Sequence, residues 1–182
     1  MKKSHYILML SFIWLSSFSS KAQIGSAASQ VNLVVNELMS LEIEQSSVMI
    51  NMNLPSHYKF GNNSGIQQNH VKVTATSNYT LAVSATNQNF TLNGLNTNLP
   101  VNIIKIEANT GNLNPNFNSG QVSINSGVYL NASQTNLLNS HSSETLQSFD
   151  VNYVIPTSAT PNFLNIPSGN YKTTVIYTII PQ

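Results

Sequence analysis

The stretch VKVTATSNYTLAVSA, residues 71–85, is the clearest indicator of the fold. Apolar side chains occupy every second position on both sides of Ser77-Asn78, first in residues 71–75 and then in residues 79–85. Successive side chains of a strand point to opposite faces, so this period of two is typical of strands that bury one face. The pattern predicts two antiparallel strands joined as a hairpin by a tight turn at Ser77-Asn78.

The same alternation recurs through most of the chain. Further strands are predicted at residues 30–35, 48–54, 90–92, 101–107, 121–125, 128–130, 149–155 and 171–180. Segments rich in Asn, Gly and Pro separate them and supply turns. Only residues 133–148 are ambiguous, since they suit a short helix or an irregular crossover. Many short strands with polar connections favour an all-β antiparallel sandwich.

The N-terminus has the features of a secretory signal peptide. Lys2 and Lys3 precede an apolar run over residues 6–18, and the small residues Ser20 and Ala22 follow. This order is that of a cleavable export signal, and the run is too short to span a bilayer of roughly 30 Å as a permanent helix. We therefore expect a signal peptide at 1–22 and a single domain at 23–182, exported to the periplasm, the cell surface or the extracellular space.

Composition excludes several classes of function. Loss of Lys2, Lys3 and Lys21 with the signal leaves four scattered lysines, no arginine and six acidic residues, a net charge of −2. Nucleic-acid binding needs clustered cations, so no nucleic-acid partner is expected. The chain has no cysteine, which excludes disulfides and a lipidated cysteine anchor. After the signal no apolar run approaches the roughly 20 residues of a spanning helix, so no permanent membrane span is expected.

The residues that commonly carry catalysis or bind metals are sparse. His57, His70 and His141 lie far apart, and we expect each to be a surface loop residue rather than a metal ligand. Glu42 and Glu44 suit one face of a strand, where charges near an edge deter aggregation more often than they act as an acid and base pair. No nucleophile elbow or phosphate loop is present. The sequence therefore predicts a protein that is not an enzyme and holds no cofactor or metal.

Residues 168–180, SGNYKTTVIYTII, form the strongest local motif. A glycine turn precedes a long alternating strand, and residues 149–155, FDVNYVI, look like its partner. This layout resembles the closing strands of secreted bacterial surface sandwiches, notably pilin-like and WxL-type modules. The resemblance implies an immunoglobulin-like or pilin-like sandwich. The chain has no W-x-L motif, so the wall-binding role of WxL modules is not carried over.

The leading functional hypothesis is a structural or adhesive surface protein, as in fimbrial adhesion, which could be one subunit of a surface assembly. Its partners would be other cell-surface proteins or copies of itself. Val31, Leu33 and Val35 alternate with polar Asn32 in a segment expected to be the first strand of the domain's own sandwich. The same segment could instead add to a neighbouring molecule as a strand, which makes it a candidate for strand exchange.

The alternative hypothesis is a carbohydrate-binding module with polysaccharide as partner. Its candidate stacking residues are Tyr58, Phe117 and Tyr129, while asparagine side chains would bind hydroxyl groups. Tyr79 and Phe90 look like core residues, and the only tryptophan, Trp14, is lost with the signal. A secreted hydrolase is the third hypothesis.

Overall fold

The computed structural model describes residues 28–113, 119–125, 127–141 and 146–182. The signal peptide expected at 1–22 lies outside them. The chain divides into two units, Met1–Val35 and Asn36–Gln182. In the first unit, the described residues 28–35 form neither helix nor strand. The strand predicted at residues 30–35 is therefore wrong for the single chain, because a strand needs a hydrogen-bonded neighbour and this segment has none among the described residues.

The second unit consists mainly of short strands. In chain order they are β1 (Met39–Ile43), β2 (Gly61–Asn63), β3 (Gln67–Ala75), β4 (Tyr79–Ala85), β5 (Asn89–Leu92), β6 (Leu95–Pro100), β7 (Lys105–Thr110), β8 (Val122–Ile124), β9 (Val128–Tyr129), β10 (Thr135–Ser140), β11 (Gln147–Pro156), β12 (Tyr171–Lys172) and β13 (Val175–Pro181). The helix α1 spans Pro55–Phe60, and 3₁₀ turns span Val101–Ile103, Ser119–Gln121 and Thr157–Phe163. Strands make up 49% of the structure and helices 12%, which confirms the all-β class.

The strands form three antiparallel sheets. Sheet A has the order β1-β3-β11-β7-β9, with β2 also pairing with β11. Sheet B has the order β13-β4-β10-β8, and the small sheet C has the order β12-β5-β6. Val73 on β3 and Val151 on β11 share one fully buried cluster with Leu81 on β4, so the core lies between sheets A and B. The predicted antiparallel sandwich is confirmed.

The predicted hairpin over residues 71–85 is wrong, although both of its strands exist. β3 pairs with β1 and β11 in sheet A, whereas β4 pairs with β10 and β13 in sheet B. The Ser77-Asn78 turn therefore carries the chain across the core from one sheet to the other. Alternation shows which face of a strand is buried but not which strand lies beside it, so a hairpin and a crossing between sheets share one pattern.

The long closing strand predicted at residues 171–180 is also interrupted. Thr173 and Thr174 separate β12, which pairs with β5 in sheet C, from β13, which pairs with β4 in sheet B. The expected partner strand, β11, lies in the opposite sheet A. β11 and β13 face each other across the core and are not neighbours within one sheet.

Two other predicted strands differ in part. Residues 48–54 do not form a strand, yet Val48, Ile50 and Met52 pack half-buried against the core. The alternation therefore predicted the buried side of this segment correctly, but the segment does not pair with another strand. Residues 101–107 begin with the 3₁₀ turn Val101–Ile103, and the strand starts at Lys105. The ambiguous residues 133–148 contain strand β10.

The helix α1 is a short cover that precedes β2. Pro55 stands in its first turn, where the fixed φ of proline is compatible with a helix and its missing N–H is not needed. Gly61 follows with φ 82°, and a side chain there would collide with the carbonyl oxygen of Ile155. Within the part of the chain that the structure describes, no helix has both the length and the apolar character needed to cross a membrane.

Candidate functional site

The edge strand β13 is the most unusual surface of the sandwich. It pairs in continuous register with β4, from Val175 opposite Ala85 to Pro181 opposite Tyr79. Among the described residues β4 is its only hydrogen-bonded neighbour. An edge strand leaves backbone N–H and C=O groups on its outer side available to another chain.

The side chains of β13 are only partly covered. Val175, Tyr177 and Ile179 pack against the core but remain half-buried, while Ile176 and Ile180 are 42% and 37% exposed on the other face. Every residue of β4, one strand further in, is buried. The apolar surface of sheet B therefore extends to an edge that the described chain does not fully cover.

The segment of residues 31–35 carries the most exposed apolar side chains of the described chain. Val31, Leu33, Val34 and Val35 are 79–87% exposed. The polar Asn32 accepts a hydrogen bond from the side chain of Gln30 at 3.2 Å. Apolar side chains in a soluble protein rarely cluster with this exposure unless they bind a partner. The strand-exchange candidates Val31, Leu33 and Val35 all belong to this cluster.

A polar network lies buried behind β13 and links the two sheets. His70 Nδ1 donates to Oε1 of Gln45 at 2.7 Å, and the hydroxyl of Tyr153 donates to His70 Nε2 at 2.9 Å. The hydroxyl of Tyr177, on β13, lies 2.7 Å from that of Tyr153, on β11. For a neutral histidine these bonds run in one direction, from Tyr177 through Tyr153 and His70 to Gln45.

Burial sets the protonation state of this network. Loss of solvent lowers the pKa of His70, which favours the neutral imidazole. Burial also raises the pKa of Tyr153 to about 12, against a smaller opposing effect of its bond to Tyr177. The pKa of Tyr177 is also raised well above its ordinary value, again chiefly by burial. All three rings are therefore neutral near pH 7, and the network is a structural link between sheets.

The expectation that His70 is a surface loop residue is wrong. Asn69 has φ 50°, in the left-handed region, and the pairing of β11 with β3 shifts register between Phe149 and Val151. This bulge places His70 and Val71, which are consecutive, both in the interior. The asparagine directly before His70 was the one sequence signal of this bulge, because asparagine tolerates positive φ more readily than most residues. His57 is half-buried on α1 and His141 is exposed.

The two glutamates of the first strand region form ion pairs. Glu42 lies 3.4 Å from Lys72 Nζ, and Glu44 is hydrogen-bonded to the same ammonium. These contacts raise the pKa of Lys72, with the hydrogen bond to Glu44 as the largest cause. The pairing of both carboxylates with one lysine supports a role in stabilising the sheet surface. In the described ranges no group of three or more His, Asp or Glu side chains could hold a metal ion.

Tyr58 and Tyr129, two of the residues proposed for sugar stacking, lie on different elements of the structure. Tyr58 lies on α1, which contacts the turn Thr157–Phe163, whereas Tyr129 lies on β9, which pairs with β7. Both are close to half exposed. Phe117 lies outside the described residues. Tyr79 and Phe90 are buried, as expected of core residues.

Comparison with known proteins adds no assignment. No family model matches the chain, and none of the curated proteins compared with it is significantly similar in sequence.

Proposed function

We propose that the protein is an exported, non-enzymatic structural subunit that assembles with copies of itself by strand addition. Residues 31–35 of one copy would pair with the outer edge of β13 in another. The observation that carries the proposal is the 79–87% exposure of Val31, Leu33, Val34 and Val35. Strand addition gives affinity through main-chain hydrogen bonds and specificity through alternate side chains.

The two surfaces have complementary patterns. Val31, Leu33 and Val35 fall on one face of an extended chain, as do Val175, Tyr177 and Ile179 of β13. A strand added beside β13 would lay its apolar face next to that half-buried row and would extend the cover of the core. Neither segment carries a charged side chain, so no charge is buried in the pairing.

The expected affinity is moderate. Burying one Val or Leu side chain contributes roughly 1.5–3 kcal/mol. Three such burials are comparable to the low end of the association cost, which is on the order of 4–15 kcal/mol. Main-chain hydrogen bonds and repetition along an assembly would supply the remainder, so we expect dilute protein to be monomeric and concentrated protein to associate.

Disulfide trapping tests the pairing, because the chain has no cysteine of its own. Two single variants, Leu33→Cys and Ile179→Cys, whose side chains lie on the same face of the proposed pairing, are purified separately, mixed and oxidised. The proposal expects a mixed disulfide dimer between them. The control mixture pairs Leu33→Cys with Leu95→Cys, a similarly exposed leucine on β6, and should give far less dimer.

Other outcomes of the same experiment contradict the proposal. Equal dimer yields in both mixtures would mean random collision. A double variant Leu33→Cys/Ile179→Cys that forms only intrachain disulfides would mean that the segment completes its own sheet. Leu33→Asp/Val35→Asp should abolish association in light scattering, whereas Met49→Asp, at another exposed apolar position, should leave it unchanged.

Export has its own test. The basic start, the apolar run and the small residues before Gln23 support cleavage after Ala22. Mass spectrometry of the exported protein should find a mature chain that starts at Gln23 or at its cyclised form. A secreted product that still contains Trp14 would contradict this part of the proposal.

A further inference from the structure

We infer that two adjoining clefts beside sheet C form a binding site for a neutral, hydroxyl-rich ligand of the oligosaccharide class. The first cleft lies between β6 and the residues that follow the turn Thr157–Phe163, and has a volume of about 330 Å³. The second has a volume of about 200 Å³, and Pro100 lines both. Small-ligand sites span roughly 300–1,000 Å³, so the pair is large enough to hold a short chain of sugars.

The lining of the first cleft combines amides with an aromatic wall. Asn98, Asn162 and Asn165 contribute carboxamides, and Tyr171 contributes a ring. The Tyr171 hydroxyl donates to the carbonyl of Pro167 at 2.8 Å, which fixes the ring in place. Carboxamides both donate and accept hydrogen bonds, as sugar hydroxyls do, and an aromatic ring presents an apolar face to a sugar.

The second cleft continues the same chemistry. Gln88, Asn89, Asn102 and Asn131 all line it. No charged residue lines either cleft. A site built to hold a phosphate or a uronic acid would present a lysine, arginine or metal to balance the charge. The absence of charge in both linings therefore favours a neutral ligand over an anionic one.

Several of these amides have free hydrogen-bonding capacity. Asn162 uses its amide N–H to bond Ala159 at 2.9 Å, and the Asn131 oxygen accepts from Ser133 at 3.1 Å. Asn98, Asn102 and Asn165 line the clefts at exposed positions, where their carboxamides are open to water. A ligand would exchange only their bonds to water, which costs little.

One of these residues is held in an uncommon backbone conformation. Asn165 has φ 60°, in the left-handed region that non-glycine residues seldom adopt. Asparagine adopts this region more readily than most other residues with a side chain. Glycine adopts this conformation without strain, so Asn165→Gly removes the carboxamide from the wall of the first cleft and keeps the backbone.

The site is separate from the strand-addition surface of the proposed function. An experiment can therefore contradict ligand binding at the clefts without contradicting strand addition, and the reverse. Its shallow walls predict weak binding of single sugars, and a polymer would gain from contacts along both clefts. The ligand is therefore sought first among polysaccharides.

Affinity electrophoresis of the mature protein provides the test. The gels contain neutral polymers, namely xylan, mannan, β-glucan and starch, or the anionic polymers polygalacturonate and alginate. We expect retardation by at least one neutral polymer and none by the anionic ones. Asn98→Ala and Asn165→Gly should each weaken that retardation, and the double variant should raise the dissociation constant at least tenfold.

Matched controls separate binding from folding. Asn93→Gly replaces another asparagine with positive φ, at 52°, outside both clefts, and Asn96→Ala replaces an exposed neighbour of Asn98 on β6. Both should bind as the unaltered protein does, and all four variants should keep its circular dichroism spectrum. No retardation by any neutral polymer, stronger retardation by an anionic one, or equal weakening by the controls would overturn the inference.

Discussion

Strands β4 and β13 lie side by side in sheet B and differ sharply in burial. They have the same length and pair residue for residue from Val175 to Pro181. Every residue of β4 is buried, whereas none of β13 is. The difference arises from position, since β4 is hydrogen-bonded to a strand on each side, whereas among the described residues β13 is hydrogen-bonded to a strand on one side only. Burial in a sheet therefore depends on the order of the strands as much as on the apolar pattern of each.

The largest expected effect comes from truncating one residue on each strand. Leu81 and Ile179 lie opposite each other in the register, the first fully buried and the second half-buried. Leu81→Ala should lower the free energy of unfolding by about 3–5 kcal/mol and Ile179→Ala by about 1–2 kcal/mol. Urea unfolding of dilute protein gives both values.

The same pair reports on assembly. If a second copy covers β13, the cost of Ile179→Ala should rise at high protein concentration while that of Leu81→Ala stays constant. Equal costs in dilute monomer would show that β13 is as well covered as β4 in solution, and the comparison would fail.

The second prediction compares two tyrosines that reach across the core. Tyr79 on β4 donates to buried Gln147, and Tyr177 on β13 is bonded to Tyr153. Tyr79→Phe should cost about 1–2 kcal/mol, because the bond is wholly buried. Tyr177→Phe should cost less, about 0.5–1 kcal/mol, since the Tyr153 hydroxyl keeps its bond to His70.

Unfolding midpoints of the two variants check this order. A larger loss for Tyr177→Phe would mean that the network behind β13 contributes more to stability than the fully buried interior bond. The hydrogen bond made from the edge strand β13 would then stabilise the fold more than the one made from the interior strand β4.

The sequence predicted the β class and most strand positions but not the partners of the strands. The alternation in residues 71–75 and 79–85 is present and both segments are strands, yet they lie in different sheets. A period of two indicates which face of a strand is buried, but it gives no information about which strand lies beside it. The alternation of Val31, Leu33 and Val35 predicted a strand that the single chain does not form, and strand exchange by this segment stays a prediction. The network around His70 was not, because the bulge at Asn69 breaks the period that would have placed His70 outside.

The third prediction concerns pH and the network behind β13. Burial lowers the pKa of His70 in the folded protein, whereas in the unfolded chain it is about 6.5. Below that value the unfolded state binds more protons than the folded state, so acidification should lower the free energy of unfolding. Stability should be constant from about pH 7 to 8 and should fall from about pH 6.5 towards 5, above the range in which carboxylates titrate.

Substitution isolates the contribution of His70. His70→Gln should remove most of this acid-dependent loss, while His141→Gln, at an exposed position, should retain it. Chemical unfolding at several pH values measures the slope. The same slope in His70→Gln as in the unaltered protein would assign the pH dependence to another group.

The last prediction is a small gain in stability, and it concerns the residues where the edge strand begins. Thr173 separates β12 from β13, and its hydroxyl is buried without a hydrogen-bond partner among the described residues. A buried unpaired hydroxyl is destabilising by roughly 1–3 kcal/mol, and valine has nearly the same shape without the polar atom. Thr173→Val should therefore raise the free energy of unfolding by about 1 kcal/mol.

Thr174→Val, at the exposed next position, should change it by less than about 0.5 kcal/mol. Thermal unfolding of both variants measures the difference. A loss of stability in Thr173→Val would mean that the Thr173 hydroxyl is hydrogen-bonded in solution. The polar groups at the start of β13 would then be as fully hydrogen-bonded as those in the interior of β4.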